Sequence, residues 1–213
     1  MDETRLAELL QPFLLGTEPA PQLLRQLQLY LDLLWRWNGR VNLTAVRDPE
    51  QIVTRHFGES LFAAGVLTKN LEADCAAASS LADVGSGAGF PGIPSKLAMP
   101  HIQLTLIESQ NRKATFLREA LRTLNLTGAE VFSGRAEQWR KTADVVTLRA
   151  VEQFASILPI AASLVSTGGR LCILIGAGQF AIARSLTPEW SWTDPTPVPV
   201  SAARIVAIAQ RSP

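Results

Sequence analysis

Ten residues, Asp83 to Gly92, read D-V-G-S-G-A-G-F-P-G and carry the clearest chemistry in the chain. Glycines at 85, 87 and 89 let the main chain adopt positive φ and approach a ligand with no Cβ in the way. The lead-in Ser79 to Leu81 has strand character, so the turn falls at a strand's carboxyl end, where open α/β sheets place ligands. Asp83 is a hydrogen-bond acceptor for the turn or for a cationic ligand. A dinucleotide fingerprint would want glycine at 85, 87 and 90, and Phe90 stands at the third position, which disfavours a nicotinamide-dependent oxidoreductase. Glu108 ends a second strand nineteen residues after Gly89, where a carboxylate accepts from both hydroxyls of a ribose or caps the helix starting near Asn111. Gly134-Arg135-Ala136-Glu137 follows a third strand; there a backbone amide and a carboxylate read the edge of an adenine or cap a helix. Arg149, in T-L-R-A-V, is the remaining polar group at the sheet's carboxyl edge, placed to face a substrate or to join an ion pair.

A second constellation lies upstream. Trp35, Arg36, Trp37, Asn38, Arg40, Asn42 and Thr44 are followed by Arg47, Arg55 and His56. Interleaved aromatic and basic residues stack bases and grip phosphates, although tryptophans at helical spacing also serve as core. Arg36, Arg40, Arg47 and Arg55 are the candidate RNA contacts, and His56 joins Arg149 as a catalytic candidate or is a satisfied structural histidine. Arg112, Lys113, Arg118 and Arg122, on the helix after the second strand, read as a solvated face.

The elements that position these residues follow from periodicity. Leucines at 6, 9, 10 and 14 predict a helix over Thr4 to Leu15 with Thr4 as its cap, and a second helix runs from Pro21 to Trp37, stopped by Asn38-Gly39. Asp48-Pro49-Glu50-Gln51 opens a third as a capping box. Residues 67 to 80 shift to Asn, Asp, Ala and Ser, a linker between a helical extension over 1–68 and a second domain over 69–213. Strands over 80–84, 103–107, 129–132, 144–148 and 170–175 alternate with helices near 92–98, 111–124, 136–141 and 153–165. That alternation predicts an α/β, Rossmann-like parallel sheet with helices on both faces. After Gly178 come a short helix and two late strands, Trp190 to Trp192 and Arg204 to Ala209, while the Pro-rich 195–199 is an edge piece or a loop over the ligand.

Composition narrows the partners. A net charge of +1 confines nucleic-acid contact to a local patch, and 47% hydrophobic with 18% charged residues describes a soluble globular chain. Cys75 and Cys172 have neither metal-ligand nor disulfide-framework spacing, which fits a reducing compartment; the expectation is a cytoplasmic monomer without metal. The amino terminus lacks signal-peptide layout and no apolar run approaches a membrane span, so no membrane partner is expected.

The segments N-G-R-V-N-L-T-A-V-R-D-P-E, R-H-F-G-E-S-L, D-V-G-S-G-A-G-F-P-G-I-P, E-S-Q-N-R-K-A-T-F-L, G-R-A-E and T-L-R-A-V, in this order, resemble the RsmG (GidB) family from about Tyr30 to Gly178. The resemblance implies a class I S-adenosylmethionine-dependent methyltransferase fold behind an amino-terminal helical extension. It implies methyl transfer from S-adenosylmethionine to N7 of a guanine in 16S ribosomal RNA of the small subunit. It further implies cofactor contacts at Gly85, Phe90, Ala136 and Glu137, the ribose role for Glu108, and Arg149 facing cofactor and substrate. Two departures stand out: Gly58-Glu59-Ser60-Leu61 where the family has Leu-Asp-Ser-Leu, and Ile175-Gly176 where it has Lys-Gly. They keep open a second reading, a methyltransferase-like RNA-binding assembly factor without catalysis.

Overall fold

The computed structural model describes residues 1–73, 78–151 and 153–211. Asp2 caps α1 (Glu3–Leu10), accepting the Arg5 N–H at 2.8 Å, and a 3-10 turn, Gln11–Phe13, follows. The cap is thus Asp2 and not Thr4, and the α-helix stops before Pro12, whose ring cannot continue it. Helix α2 (Pro21–Val41) runs through Asn38-Gly39 and ends at Asn42, which takes the left-handed conformation that stops helices. Asp48 caps α3 (Pro49–Ile52), accepting the Gln51 N–H at 2.9 Å. A π-helical turn, Val53–Gly58, leads into α4 (Glu59–Ala73). The linker composition therefore begins inside a helix: alanine, leucine and lysine outweigh the asparagine there. Cys75 lies outside the described residues.

From Ser80 the chain alternates: β1 (Ser80–Val84), α5 (Gly92–Ala98), β2 (Gln103–Glu108), α6 (Asn111–Thr123), β3 (Ala129–Ser133), β4 (Ala143–Arg149), α7 (Phe154–Ser163), β5 (Val165–Gly176), α8 (Phe180–Leu186), β6 (Ser191–Trp192), β7 (Thr196–Pro197) and β8 (Arg204–Gln210). Residues 136–141 are no α-helix: one 3-10 turn, Ala136–Gln138, gives way to extended Trp139, which is buried. Among the described residues the sheet has eight strands in the order β3-β2-β1-β4-β5-β8-β6, with β7 also on β8. The first five are parallel and β8 is antiparallel to β5. The Pro-rich stretch is thus partly an edge strand, Thr196 pairing with Val206.

Strand alternation divides the core in two. Leu81, Leu104, Leu106, Val145, Cys172, Leu174 and Val206 face α1–α6, whereas Ala82, Val84, Ile107, Leu148, Ile173, Ile175 and Ile205 face α7 and α8. The first layer includes Leu27, Tyr30 and Leu34 of α2 in the same apolar cluster as the sheet. Strand order reverses between β1 and β4, so the crevice at their carboxyl ends is the expected ligand position. No described helix is long and apolar enough to cross a membrane.

Candidate active site

The glycine turn closes β1 onto that crevice. Gly85, Gly87 and Gly89 have φ of +68°, +57° and +89°. Gly89 admits no substitute on a second ground, because a Cβ there would lie 2.5 Å from the Tyr30 hydroxyl oxygen. That hydroxyl, fully buried at the middle of α2, donates to the Ala88 carbonyl. The amino-terminal helices thereby grip the turn from outside. From inside, Asp83 is buried, accepting from the Thr147 hydroxyl at 2.8 Å and the Gly92 N–H at 3.2 Å. Burial pushes its carboxyl up to about 6. Asp83 lies beneath the turn as its internal brace. Glu108 reaches over from β2, accepting the Gly87 N–H at 2.8 Å through Oε2 and the Gln110 N–H at 2.8 Å through Oε1. A carboxylate has about four acceptor positions, so two remain. Ala136 is buried and Glu137 exposed in the 3-10 turn beyond β3.

Arg149 ends β4 at the centre of the crevice. Its Nη2 donates to the Arg55 carbonyl, to His56 Nδ1 at 3.2 Å and to Glu59 Oε2 at 3.1 Å, and its guanidinium carbon lies 5.9 Å from the Phe90 ring centroid. The π turn and α4 supply all three acceptors. Glu59 Oε1 meets a second guanidinium, Arg204 of β8, at 2.7 Å. Both oxygens of one buried carboxylate therefore hold cations brought from different strands.

His56 is fixed as a neutral ring. It stacks on Phe90 with centroids 5.0 Å apart, and burial beside Arg149 and Arg55 lowers its pKa to about 3. An arginine only donates, which favours the tautomer with Nδ1 as acceptor and Nε2–H given to Thr44 Oγ1 at 2.7 Å. At neutral pH this histidine has no proton to gain or spare.

Two cavities meet here. One, of about 250 Å³, lies over Gly85 to Ala88 and is walled by Thr44, Phe90 and Lys113. The other, of about 420 Å³, has an apolar floor that includes Leu174, Ile175 and Ile205 and a rim of Arg55, Glu59 and Arg204. His56, Arg149 and Ala150 line both. Of the predicted RNA contacts, Arg55 is at this junction. Arg36, Arg40 and Arg47 are exposed and line neither cavity, Arg47 being tied to the Asn38 carbonyl and Asn42 Oδ1 at 3.3 and 3.1 Å. Trp37 packs edge-on to Phe116 at 5.8 Å, the core alternative, while Trp35 is 49% exposed. Sequence reasoning missed Thr44, Glu59, Lys113 and Arg204 as site residues. Glu59 had a signal in its departure from the family pattern; Arg204 had none. Among the described residues no cluster of His, Cys, Asp and Glu could hold a metal.

Known proteins resemble this chain over most of its length. A family model described as rRNA small subunit methyltransferase G matches residues 23–202. The ribosomal RNA small subunit methyltransferase G of Stenotrophomonas maltophilia (strain K279a) is 42% identical over 183 residues, 85% of this chain and 80% of that protein. Its counterpart in Xanthomonas campestris pv. campestris (strain B100) is 40% identical over 197 residues, 92% of this chain and 87% of that protein. Among solved structures, magnesium protoporphyrin IX methyltransferase from Synechocystis PCC 6803 with bound SAM superposes with a TM-score of 0.63 at 14% identity, covering 86% of this chain and 97% of that one. The N-methyltransferase NodS from Bradyrhizobium japonicum WM9 with S-adenosyl-L-homocysteine gives 0.57 at 17% identity, covering 84% and 99%. At such identities the structural likeness shows a shared fold, the class I methyltransferase sheet.

Proposed function

We propose that this chain, which belongs to the rRNA small subunit methyltransferase G family, transfers a methyl group from S-adenosylmethionine to N7 of a guanine in 16S ribosomal RNA, presented by the small ribosomal subunit. The observation that carries this reading is the pair of adjoining cavities sharing Arg149 and His56, one over the glycine turn and one floored by apolar side chains and rimmed by guanidiniums.

The residues fit the cofactor. A Cβ on Gly87 would meet only the Gly85 carbonyl oxygen, at 3.8 Å, so the space above the turn is open to a ligand. Glu108 keeps acceptor positions for the ribose hydroxyls, and the family resemblance gives Ala136 and Glu137 the adenine edge; none of the three lines either cavity. Gly85 and Phe90 complete the turn's contacts, and Asp83 and Gly89 act by holding its shape. When bound, S-adenosylmethionine supplies an electrophilic methyl on a sulfonium.

Guanine N7 carries a free lone pair at neutral pH, so no general base is needed. This agrees with a histidine held neutral and committed at both nitrogens. Its role is to fix Arg149 and Thr44, and the barrier falls chiefly through orientation of the two reactants. Positive charge develops on the purine as the methyl arrives. Glu59, on the rim of the second cavity, is already paired with Arg149 and Arg204, so its part is to hold those guanidiniums in place. Arg55 at that rim, together with the exposed Arg36, Arg40, Arg47 and Trp35, supports phosphate and base contacts with RNA outside the cavity.

The test is transfer of labelled methyl to small ribosomal subunits purified from cells lacking this protein, with the product digested to nucleosides. Label in N7-methylguanosine is the expected result, with subunits preferred over protein-free RNA because a near-neutral protein has little field for naked RNA. Bound cofactor with no transferred label overturns the enzymatic reading, label in another nucleoside overturns the guanine-N7 assignment, and equal rates on free RNA overturn the preference for the particle.

A further inference from the structure

Thr44 lines the cavity over the glycine turn, and in the His56 tautomer that Arg149 favours its hydroxyl is left to donate. Its Oγ1 accepts twice, from His56 Nε2–H at 2.7 Å and from the Val46 N–H at 3.1 Å. Both hydroxyl lone pairs are thereby used, and only the hydroxyl hydrogen is left to bond. The Arg149 guanidinium at 3.2 Å favours the tautomer in which His56 Nδ1 accepts. The Thr44 backbone is held too, its N–H donating to Asn38 Oδ1 at 2.9 Å.

Across the same small cavity stands Lys113, in the first turn of α6 and half-buried. It makes no hydrogen bond or ion pair with any described residue. The other cation lining this cavity, Arg149, is already matched by Glu59, and no carboxylate of a described residue lines the cavity. A hydroxyl donor and an ammonium with no partner among the described residues thus line one cavity, a combination that suits an oxyanion.

We propose that Thr44 and Lys113 hold the α-carboxylate of the cofactor's methionyl group, a clamp supplied by the helical extension and α6 and not by the glycine turn. This rests on the reading that the cavity takes S-adenosylmethionine, whose only anionic group is that carboxylate. The fold reason is plain. The turn offers backbone N–H groups, already engaged in part by Glu108, while the positive wall comes from elements outside the sheet.

The test is calorimetric binding of two nucleosides to the full chain: S-adenosylhomocysteine, which carries the carboxylate, and 5′-methylthioadenosine, which lacks the whole amino-acid part. Thr44→Val and Lys113→Met are each expected to weaken S-adenosylhomocysteine about tenfold or more, the scale of one charge-assisted hydrogen bond, and to change methylthioadenosine less than about twofold. Thr44→Ser and Lys113→Arg restore binding of the former. Unchanged S-adenosylhomocysteine affinity in both variants, with a weaker grip on ribosomal subunits, would assign the pair to an RNA phosphate and overturn the proposal. A parallel loss of both nucleosides would also overturn it, since that is the mark of a disturbed turn. Wild-type protein binding neither nucleoside overturns the cofactor reading and the clamp together.

Discussion

Tyr30 is the residue through which the amino-terminal helices are expected to govern the cofactor turn, and Tyr30→Phe isolates that link. The substitution removes one oxygen and leaves the ring in its stack, 5.2 Å from Phe57 and 5.4 Å from Phe90. Burial raises the phenol well above its ordinary value, so the hydroxyl stays protonated and donates to the Ala88 carbonyl throughout the usable pH range. Without it a buried acceptor inside the turn is unsatisfied, a loss of about 1–3 kcal/mol. For a chain of this size that lowers the melting temperature by roughly 4–8 °C at the middle of the range. Part of the loss should reappear in binding, because a turn released from α2 must be ordered by the ligand, and S-adenosylhomocysteine affinity is expected to fall by up to about tenfold. Tyr30→Ala serves as the calibration, since losing the ring adds a cavity cost of about 3–5 kcal/mol. Thermal melts and calorimetry on the three proteins decide it. A Phe variant that melts with the parent and binds equally well would refute the idea that the hydroxyl holds the turn, whatever the Ala variant does.

Asp83 predicts a pH dependence. Its folded pKa, raised by burial from 3.8 to about 6, favours the protonated form on folding. Its stabilising share is therefore full below pH 3.8 and lost as pH rises through about 6, which is worth about 3 kcal/mol across the window. Asp83→Asn removes that loss, so urea titrations at pH 4 and pH 7 should show the variant gaining on the parent with rising pH; a pH-independent difference would refute it. Gly58→Ala tests why leucine is missing from that position. A Cβ there would lie 2.5 Å from Phe13 Cδ2, and the overpacking is expected to cost about 1–3 kcal/mol, relieved at least by half when combined with Phe13→Leu. Equal melting of Gly58→Ala and parent, or no relief in the double variant, counts against that explanation.

What could be read from the residues and what could not divide along a physical line. The glycine turn and the strand at 80–84 are legible because their signals are local: positive φ needs glycine, and a strand declares itself in consecutive apolar residues. Glu108 was legible because a strand-end carboxylate is placed by its own strand, and its bond to Gly87 needs only that β2 lie beside β1. Arg204 was not. It reaches Glu59 because β8 enters antiparallel beside β5 and sets Arg204 opposite Gly176, while Leu174 sits opposite Arg149 on the other side. Nothing near Arg204 in the chain encodes that insertion. Lys113 was assigned to a solvated face for the same reason: helical spacing tells which residues share a side, and only the packing of α6 under α2 tells that one of them lines a cavity. The two departures from the family pattern also resolve at a distance. Phe13 fills the space a side chain at Gly58 would take. Ile175 pairs with Ile205 in the buried floor of the second cavity, so the cations lining that cavity are the guanidiniums of Arg55, Arg149 and Arg204, with no lysine among them. A lysine at Ile175 would enter a floor that, among the described residues, is already bordered by three guanidiniums and one carboxylate, which is a physical reason for an apolar residue to stand there.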